Sequence, residues 1–399
     1  MKKFFTKTFW KNIGARANLY NNGYKDTVFI RLQTKYLLKK IGRQYKRFGH
    51  PCVIYTSYYD YYDKMTQRPQ HFFNKLSKLN YPVVCCTLSE RFSEPHRNLF
   101  VVPFRQLPYF IHARNFQKVF IIPYNFPVHD SHLLKMFDAI DDKTIVIYEL
   151  IDNFDLLGNP DYIKQAQDMF TTLIKRDNTF VFTSANKLYN TALKFGCPKN
   201  KLIMNKNGVN LEDFQGQCQT NQSVQEIVNK NKPIIGYYGA VSDWFDFNLL
   251  ERVVRKNPQW EFVVIGPANE NIKKFESFDN FTYIPPVPYK EIPSYAKCWD
   301  VATIPFKINE ITLSTSPVKL FEYMAMGLPI VTTPMPECKL YKSVFIAKDA
   351  SEFEKQIAAA LKAKKTKKYQ ETLAREASEN TWEARVNDMV KIIEKHYKK

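Results

Sequence analysis

The chain has 399 residues, 45% of them hydrophobic and 24% charged, and Lys and Arg exceed Asp and Glu by 19. That length exceeds one compact core, so two domains of ordinary size are expected, with the composition of a soluble globular protein. No apolar run approaches the ~20 residues of a membrane-spanning helix, and seven cysteines at irregular spacings without C-x-x-C argue against a disulfide or zinc framework.

The excess charge is uneven. Residues 1–50 hold 13 Lys/Arg against one Asp, which leaves a net +7 for the other 349 residues. MKKFFTKTFWKN carries the charges of a signal peptide but neither a sustained apolar core nor a small-residue cleavage site, so the chain is expected to begin at Met1 and to remain cytoplasmic. In FIRLQTKYLLKKIGRQYKRF, Phe29, Leu32, Tyr36, Leu37 and Ile41 recur near helical spacing, with basic residues largely on the other side. Two readings stay open: an amphipathic helix on an anionic membrane surface, or a helix packed on its own domain with its charges in water. No nucleic-acid-binding signature accompanies the charge, and no nucleic acid partner is expected.

From residue 51 short apolar strands alternate with helical stretches. PCVIYTS, YPVVCCTL, NLFVVP, KVFIIPY, TIVIYEL, TFVFTS and KLIMNKN read as strands, with helices near 68–79, 129–140, 161–176 and 186–195. Strands apolar on both faces predict a parallel sheet covered on both sides, and Cys85 and Cys86 fall inside one of them. The polar segment 215–231 reads as an interdomain linker. A second alternating set follows: PIIGYYGA, a helix at 246–257, EFVVIGP, FTYIPPV, a helix at 289–297, VATIPF, a helix at 317–326, PIVTT and SVFIA, then helices from 351 onward. The fold class is α/β with two doubly wound domains, an arrangement that presents ligands beyond the strand C-termini.

The stretch SPVKLFEYMAMGLPIVTT (316–333) carries the most chemistry. Ser316 reads as the N-cap and Pro317 as the first helical residue, while Gly327 and Pro329 end the helix. Free N–H groups at its start suit a phosphate. Lys319 in the first turn opposes the helix dipole unless an anion binds there, and Glu322 one turn on could accept the hydroxyls of a ribose. The alternative is a surface helix with Lys319 and Glu322 paired at i,i+3.

That stretch closely resembles the nucleotide-sugar motif of retaining glycosyltransferases of family 4, which have the GT-B fold of two facing Rossmann-like domains. NKNGVNLEDF, YYGAVSDWFDFNLLERVVRKNPQWEFVVIGP and YIPPVPYKEIPSYAKCWDVATIPF are similar to further family segments in the family's order. TSYYDYYDKMTQRPQHF and VIYELIDNFDLL resemble the N-terminal domain of a subgroup that makes cell-surface polysaccharides. The resemblance covers about residues 51–396. With the basic extension at 1–50 and the polar linker at 215–231, the expected organisation is an acceptor domain at 51–214, a nucleotide-sugar domain at 232–375, and a C-terminal helix at 376–399 that packs back on the first domain.

By the same resemblance Glu322 holds the ribose, Lys319 sits by the diphosphate with the backbone of Thr315, Ser316, Pro317 and Val318 around it, and Gly239 lets the backbone approach the donor. Two departures stand out. Ser314 occupies the region where the family often has a glutamate near the donor sugar, and no second basic residue follows the GAV loop. In the first domain Arg68 is expected to contact phosphate or an anionic acceptor and His71 the acceptor sugar. Asp152, after an apolar strand, is expected to orient the acceptor hydroxyl or to steady developing positive charge. Plain structural roles remain open for all three. No metal and no cofactor is expected, since Asp60 with Asp63 is too thin a ligand set and a nucleoside diphosphate sugar is the donor. The implied activity is hexose transfer with retention to a growing, lipid-linked surface glycan by an enzyme peripheral to the membrane. A nucleotide-sugar epimerase and an inactive scaffold are the alternatives.

Overall fold

The computed structural model describes residues 28–57, 66–87, 92–126, 139–216 and 219–397. The first 27 residues of the basic extension, most of the 129–140 helix, and Asp60 and Asp63 lie outside them. The chain divides into one unit of Met1–Asn205 with Asp388–Lys399 and a second of Lys206–Asn387.

Helix α1 (Val28–Phe48) opens the described part of the first unit, followed by strand β1 (Cys52–Ser57), helix α2 (Arg68–Lys78) and strands β2 (Val83–Thr87), β3 (Ser93–His96) and β4 (Leu99–Pro103). Helix α3 (Leu107–Ile111), β5 (Lys118–Pro123), β6 (Ile145–Leu150), α4 (Pro160–Leu173), β7 (Thr179–Thr183), α5 (Asn186–Lys194) and β8 (Leu202–Met204) complete it. The strand order is β3-β4-β2-β1-β5-β6-β7-β8. Every pairing is parallel except β3 with β4. Strands β2, β4, β5 and β6 are buried along their whole length, as apolar runs without polar alternation require. Cys85 and Cys86 are buried thiols inside β2.

The structure divides the apolar set of α1 differently from the amphipathic reading. Ile30, Thr34, Leu37 and Ile41 are buried against the domain, whereas Leu32 and Tyr36 are exposed beside the basic residues. Spacings of four, three and four put the buried set on one stripe, and Leu32 and Tyr36 fall outside it. The side chain of Phe29 lies outside the described residues.

The second unit begins with α6 (Leu211–Gln215) and α7 (Gln222–Asn229), so the polar segment 215–231 is not a bare linker. Val224 and Ile227, three apart, anchor α7 in the unit's core, a pair too short to register against the polar residues around it. Strands β9 (Ile234–Tyr238), β10 (Glu261–Ile265), β11 (Phe281–Ile284), β12 (Val301–Ile304), β13 (Ile330–Thr332) and β14 (Val344–Ile346) form a sheet ordered β11-β10-β9-β12-β13-β14. All its pairings are parallel. Counted from β9 this is the order 3-2-1-4-5-6 of a doubly wound nucleotide-binding domain, whose winding reverses between β9 and β12. Helices α8 (Phe247–Lys256), α9 (Ile292–Ala296), α10 (Val318–Ala325), α11 (Ala350–Ala363) and α12 (Lys367–Glu379) alternate with or follow the strands. Helix α13 (Trp382–Tyr397) ends in the first unit, where the Tyr397 hydroxyl donates to the Lys118 carbonyl at 2.5 Å.

Candidate nucleotide-sugar site

The reversal between β9 and β12 gathers the predicted residues of the second unit. Strand β9 stops at Tyr238, and Gly239 turns the chain with φ +129° while its N–H donates to the Ile265 carbonyl at 2.9 Å. Gly266, at the end of β10, has φ +134°, and a Cβ there would lie 2.4 Å from the Gly239 carbonyl oxygen. Two backbones meet where no side chain fits, which leaves a glycine-lined floor. The loops after β9 and β12 are zipped together: Asp246 N–H donates to Pro305 and Lys307 N–H to Trp244, at 2.8 and 2.7 Å.

Helix α10 begins at Val318, and Pro317 is its N-cap, with ψ 122° in the extended region. The expected assignment of Ser316 as N-cap is therefore corrected by one residue. The cause is local. Ser314 and Thr315 hydroxyls donate back to the carbonyls of Glu310 and Ile311, at 3.1 and 2.7 Å, and fix a tight turn ahead of the helix. Ser316 is buried, its carbonyl held by the Asn207 side-chain amide at 2.7 Å. No side chain caps α10, and no acidic residue stands in its first turn. Its leading N–H groups thus keep the electropositive character that binds anions.

Lys319 lies against Gly239: a Cβ on that glycine would be 2.8 Å from Lys319 Cε. Its Nζ stands 5.4 Å from the ring centre of Tyr237 and 5.1 Å from that of Phe306. Burial lowers its pKa to about 8, against the opposing pull of the Glu322 charge. Glu322 is 3% exposed and not on a helix surface, so the surface-pair alternative does not hold. Its Oε2 accepts from the Tyr238 hydroxyl at 2.6 Å and its Oε1 from Tyr289 at 3.0 Å. Burial raises the pKa of Glu322, while the two tyrosine bonds and Lys319 act the other way. Each carboxylate oxygen retains acceptor capacity after its tyrosine bond, enough for the two hydroxyls of a vicinal diol. Gly239, Lys319 and Glu322 therefore lie together in the second unit, with Ser314, Thr315, Ser316 and Pro317 in the turn that leads into α10 at Val318.

Sequence reasoning missed Tyr238 and Tyr289. Tyr238 was findable as the last strand residue before the glycine turn. Tyr289, from a short turn 33 residues before Glu322, has no local signature.

In the first unit the structure separates the candidates. Arg68 is 4% exposed, with Nε on Glu149 at 2.8 Å and Nη2 on Asn205 at 2.6 Å. The carboxylate of Glu149, fully buried in β6 and also bonded by the Tyr55 hydroxyl, draws the guanidinium inward rather than toward a ligand. His71 is likewise buried, and its pKa falls to about 3 through burial and the nearby Lys75 charge, so the imidazole is neutral. The expected ligand contacts of Arg68 and His71 are corrected to interior roles. Asp152 stands just beyond the C-terminal end of β6, half-buried, where burial raises its pKa to about 7 against a hydrogen bond from Tyr124.

Residues 232–363 match the family model of the group 1 glycosyl transferases. The curated relative TuaH of Bacillus subtilis (strain 168), named for glycosyl transfer in teichuronic acid biosynthesis, is 25% identical over 158 residues, or 38% of this chain. The match spans 39% of that relative's length. Among solved structures, Anabaena HepE in complex with UDP-glucose is 11% identical with a TM-score of 0.63, covering 87% of this chain and 100% of that one. Sucrose-phosphate synthase from Thermosynechococcus elongatus gives 12% and 0.64, with 88% and 100% covered. WaaG, a glycosyltransferase involved in lipopolysaccharide biosynthesis, gives 11% and 0.59, with 86% and 99% covered. The chain thus has the two α/β domains of a GT-B protein, and its residues 232–363 match the group 1 glycosyltransferase family.

Proposed function

We propose that the chain is a retaining glycosyltransferase of the family 4 type, moving a hexose from a nucleoside diphosphate sugar to a hydroxyl of a growing, lipid-linked cell-surface polysaccharide. The observation that carries this is Glu322, a buried carboxylate one turn into an uncapped helix, beside Lys319 and the Gly239 turn. The carboxylate receives the ribose diol, while Lys319 and the first N–H groups of α10 meet the diphosphate. In the transfer the bond from the anomeric carbon to the diphosphate oxygen breaks, and its electron pair leaves with the diphosphate, whose growing charge Lys319 offsets. The acceptor oxygen bonds to the same face of that carbon and gives up its proton. Asp152 is the acceptor-side group whose pKa suits that proton. The UDP-glucose bound by HepE and the polysaccharide pathways named for TuaH and WaaG support this donor and acceptor class. Lys319 and the uncapped start of α10 are proposed to take the place of a metal, so transfer should persist in EDTA.

Thermal unfolding against UDP-, GDP-, ADP- and CDP-sugars tests the donor. A ligand at 100 times its Kd stabilises the native state by about 2.7 kcal/mol, a shift easily read. Stabilisation by none of them would refute the nucleotide-sugar site. Ser314, uncharged and bonded to Glu310, favours one other reading, a scaffold that binds the nucleotide sugar without turnover. An isomerised sugar nucleotide formed without acceptor would instead identify an epimerase.

A further inference from the structure

We propose that Lys307, on the loop after β12, is the second cation of the diphosphate subsite and meets the outer phosphate, the one that carries the sugar. The inference rests on the nucleotide-sugar reading and adds to it a residue that no sequence pattern marked. A nucleoside diphosphate sugar bears one negative charge on each phosphate, and the diphosphate gains more as the sugar leaves. Lys319 alone would face that charge. The loop after β9, AVSDWFD (240–246), holds no basic residue, and Lys307 is the one basic residue in the loop after β12, PFKINEITLSTSP (305–317).

The fold brings Lys307 across to the β9 loop. Its N–H donates to the Trp244 carbonyl at 2.7 Å, and its Nζ donates to the Asp243 carbonyl at 3.1 Å. Its own carbonyl accepts from the buried Thr312 hydroxyl at 2.6 Å. Asn309 Oδ1 accepts from the N–H groups of Ile311 and Thr312, both at 3.0 Å. The backbone is thus pinned on both sides of an exposed side chain. An ammonium has three donors, and this bond goes to a backbone carbonyl rather than a carboxylate, so two donors and the full charge are left for a ligand.

The sheet order β11-β10-β9-β12 gives the diphosphate its direction. Glu322 is bonded by Tyr289, which follows β11, while Lys319 lies over the Gly239 turn at the end of β9. The ring of Phe306, 5.1 Å from Lys319 Nζ, stands on the β12 side, and Lys307 is the next residue. A nucleotide whose ribose sits on Glu322 therefore runs past Lys319 toward Lys307. The inner phosphate falls to Lys319 and the first N–H groups of α10, and the outer one to Lys307. A compact ammonium on a flexible stem suits that task, because it can follow the phosphate as its charge grows.

The test is titration calorimetry of the full chain with UDP, GDP, ADP and CDP, and with the monophosphate of whichever base binds most tightly. Lys307→Met should lower diphosphate affinity roughly 10-fold, the low end for a hydrogen bond to a charged group because the side chain is exposed. Monophosphate affinity should hardly change, and Lys307→Arg should keep most of the diphosphate affinity. Lys319→Met reports on the underlying reading. If it weakens binding while Lys307→Met leaves diphosphate affinity unchanged, the inference is overturned and the nucleotide-sugar site stands. No loss in either variant, or no binding by wild type, would overturn both. An equal loss for diphosphate and monophosphate, or a loss that Lys307→Arg shares in full, would make Lys307 a support of the loop and overturn its phosphate role.

Discussion

The two tyrosine bonds to Glu322 decide how its role should be tested. Alanine is a poor probe, because removing the carboxylate would strand two buried hydroxyls at about 1–3 kcal/mol each and disturb the fold along with the site. Glu322→Gln keeps the shape and a partner for each tyrosine but removes the charge. Hydrogen bonds to a charged group contribute about 1.5–3 kcal/mol against about 0.5–1.5 for neutral ones. Two bonds to a ribose diol therefore weaken by about 2–3 kcal/mol together, or roughly 30- to 150-fold in Kd. Titration calorimetry with UDP, or the diphosphate of whichever base proves preferred, measures this. The matching 2′,3′-dideoxy nucleotide is the control: it lacks the diol and should bind wild type and Glu322→Gln alike. If Glu322→Gln lowers affinity equally for both nucleotides, or for neither, the carboxylate does not receive the ribose.

Tyr238→Phe and Tyr289→Phe should each weaken nucleotide binding roughly 3- to 10-fold, at about 0.5–1.5 kcal/mol per lost bond. Their deficit should grow as pH falls, because each hydroxyl helps keep Glu322 ionised against burial; calorimetry at several pH values reads both effects. For Lys319, whose pKa is lowered to about 8, the diphosphate must find the amine protonated, so affinity should decline as pH rises through about 8. Lys319→Met should remove that dependence and most of the affinity. If Asp152 accepts the acceptor proton, kcat should rise with pH up to about 7 and then level, and Asp152→Asn should flatten that limb while lowering kcat by roughly 100-fold or more.

Most of the sheet framework was legible because parallel strands buried on both faces read as short unbroken apolar runs; β2, β5 and β6 are of this kind. Strand β3, with sequence SEPH, was missed because it is an antiparallel edge strand, where proline and charge are tolerated and no apolar alternation is required. On the site side, spacing put Lys319 and Glu322 on one helix but left a surface pair open, and their donor-site roles were implied by the resemblance alone. The start of that helix was misplaced by one residue because Ser-Pro fits either of two registers, and the backward bonds of Ser314 and Thr315 decide between them. Arg68 and His71 went wrong for a different reason. Whether an arginine at a helix start faces ligand or interior depends on a carboxylate 81 residues away, and Glu149 sits in a strand whose apolar pattern gave no hint of a buried charge.

The most direct test of the central claim is transfer itself: the purified chain, a labelled nucleotide sugar that stabilises it, and the lipid-linked glycan fraction of a cell envelope. The label should appear in the lipid fraction with stoichiometric release of nucleoside diphosphate, and NMR of the product should show the donor's anomeric configuration. Nucleotide-sugar binding with no label in any glycan, or a product of inverted configuration, would contradict the proposed retaining transfer.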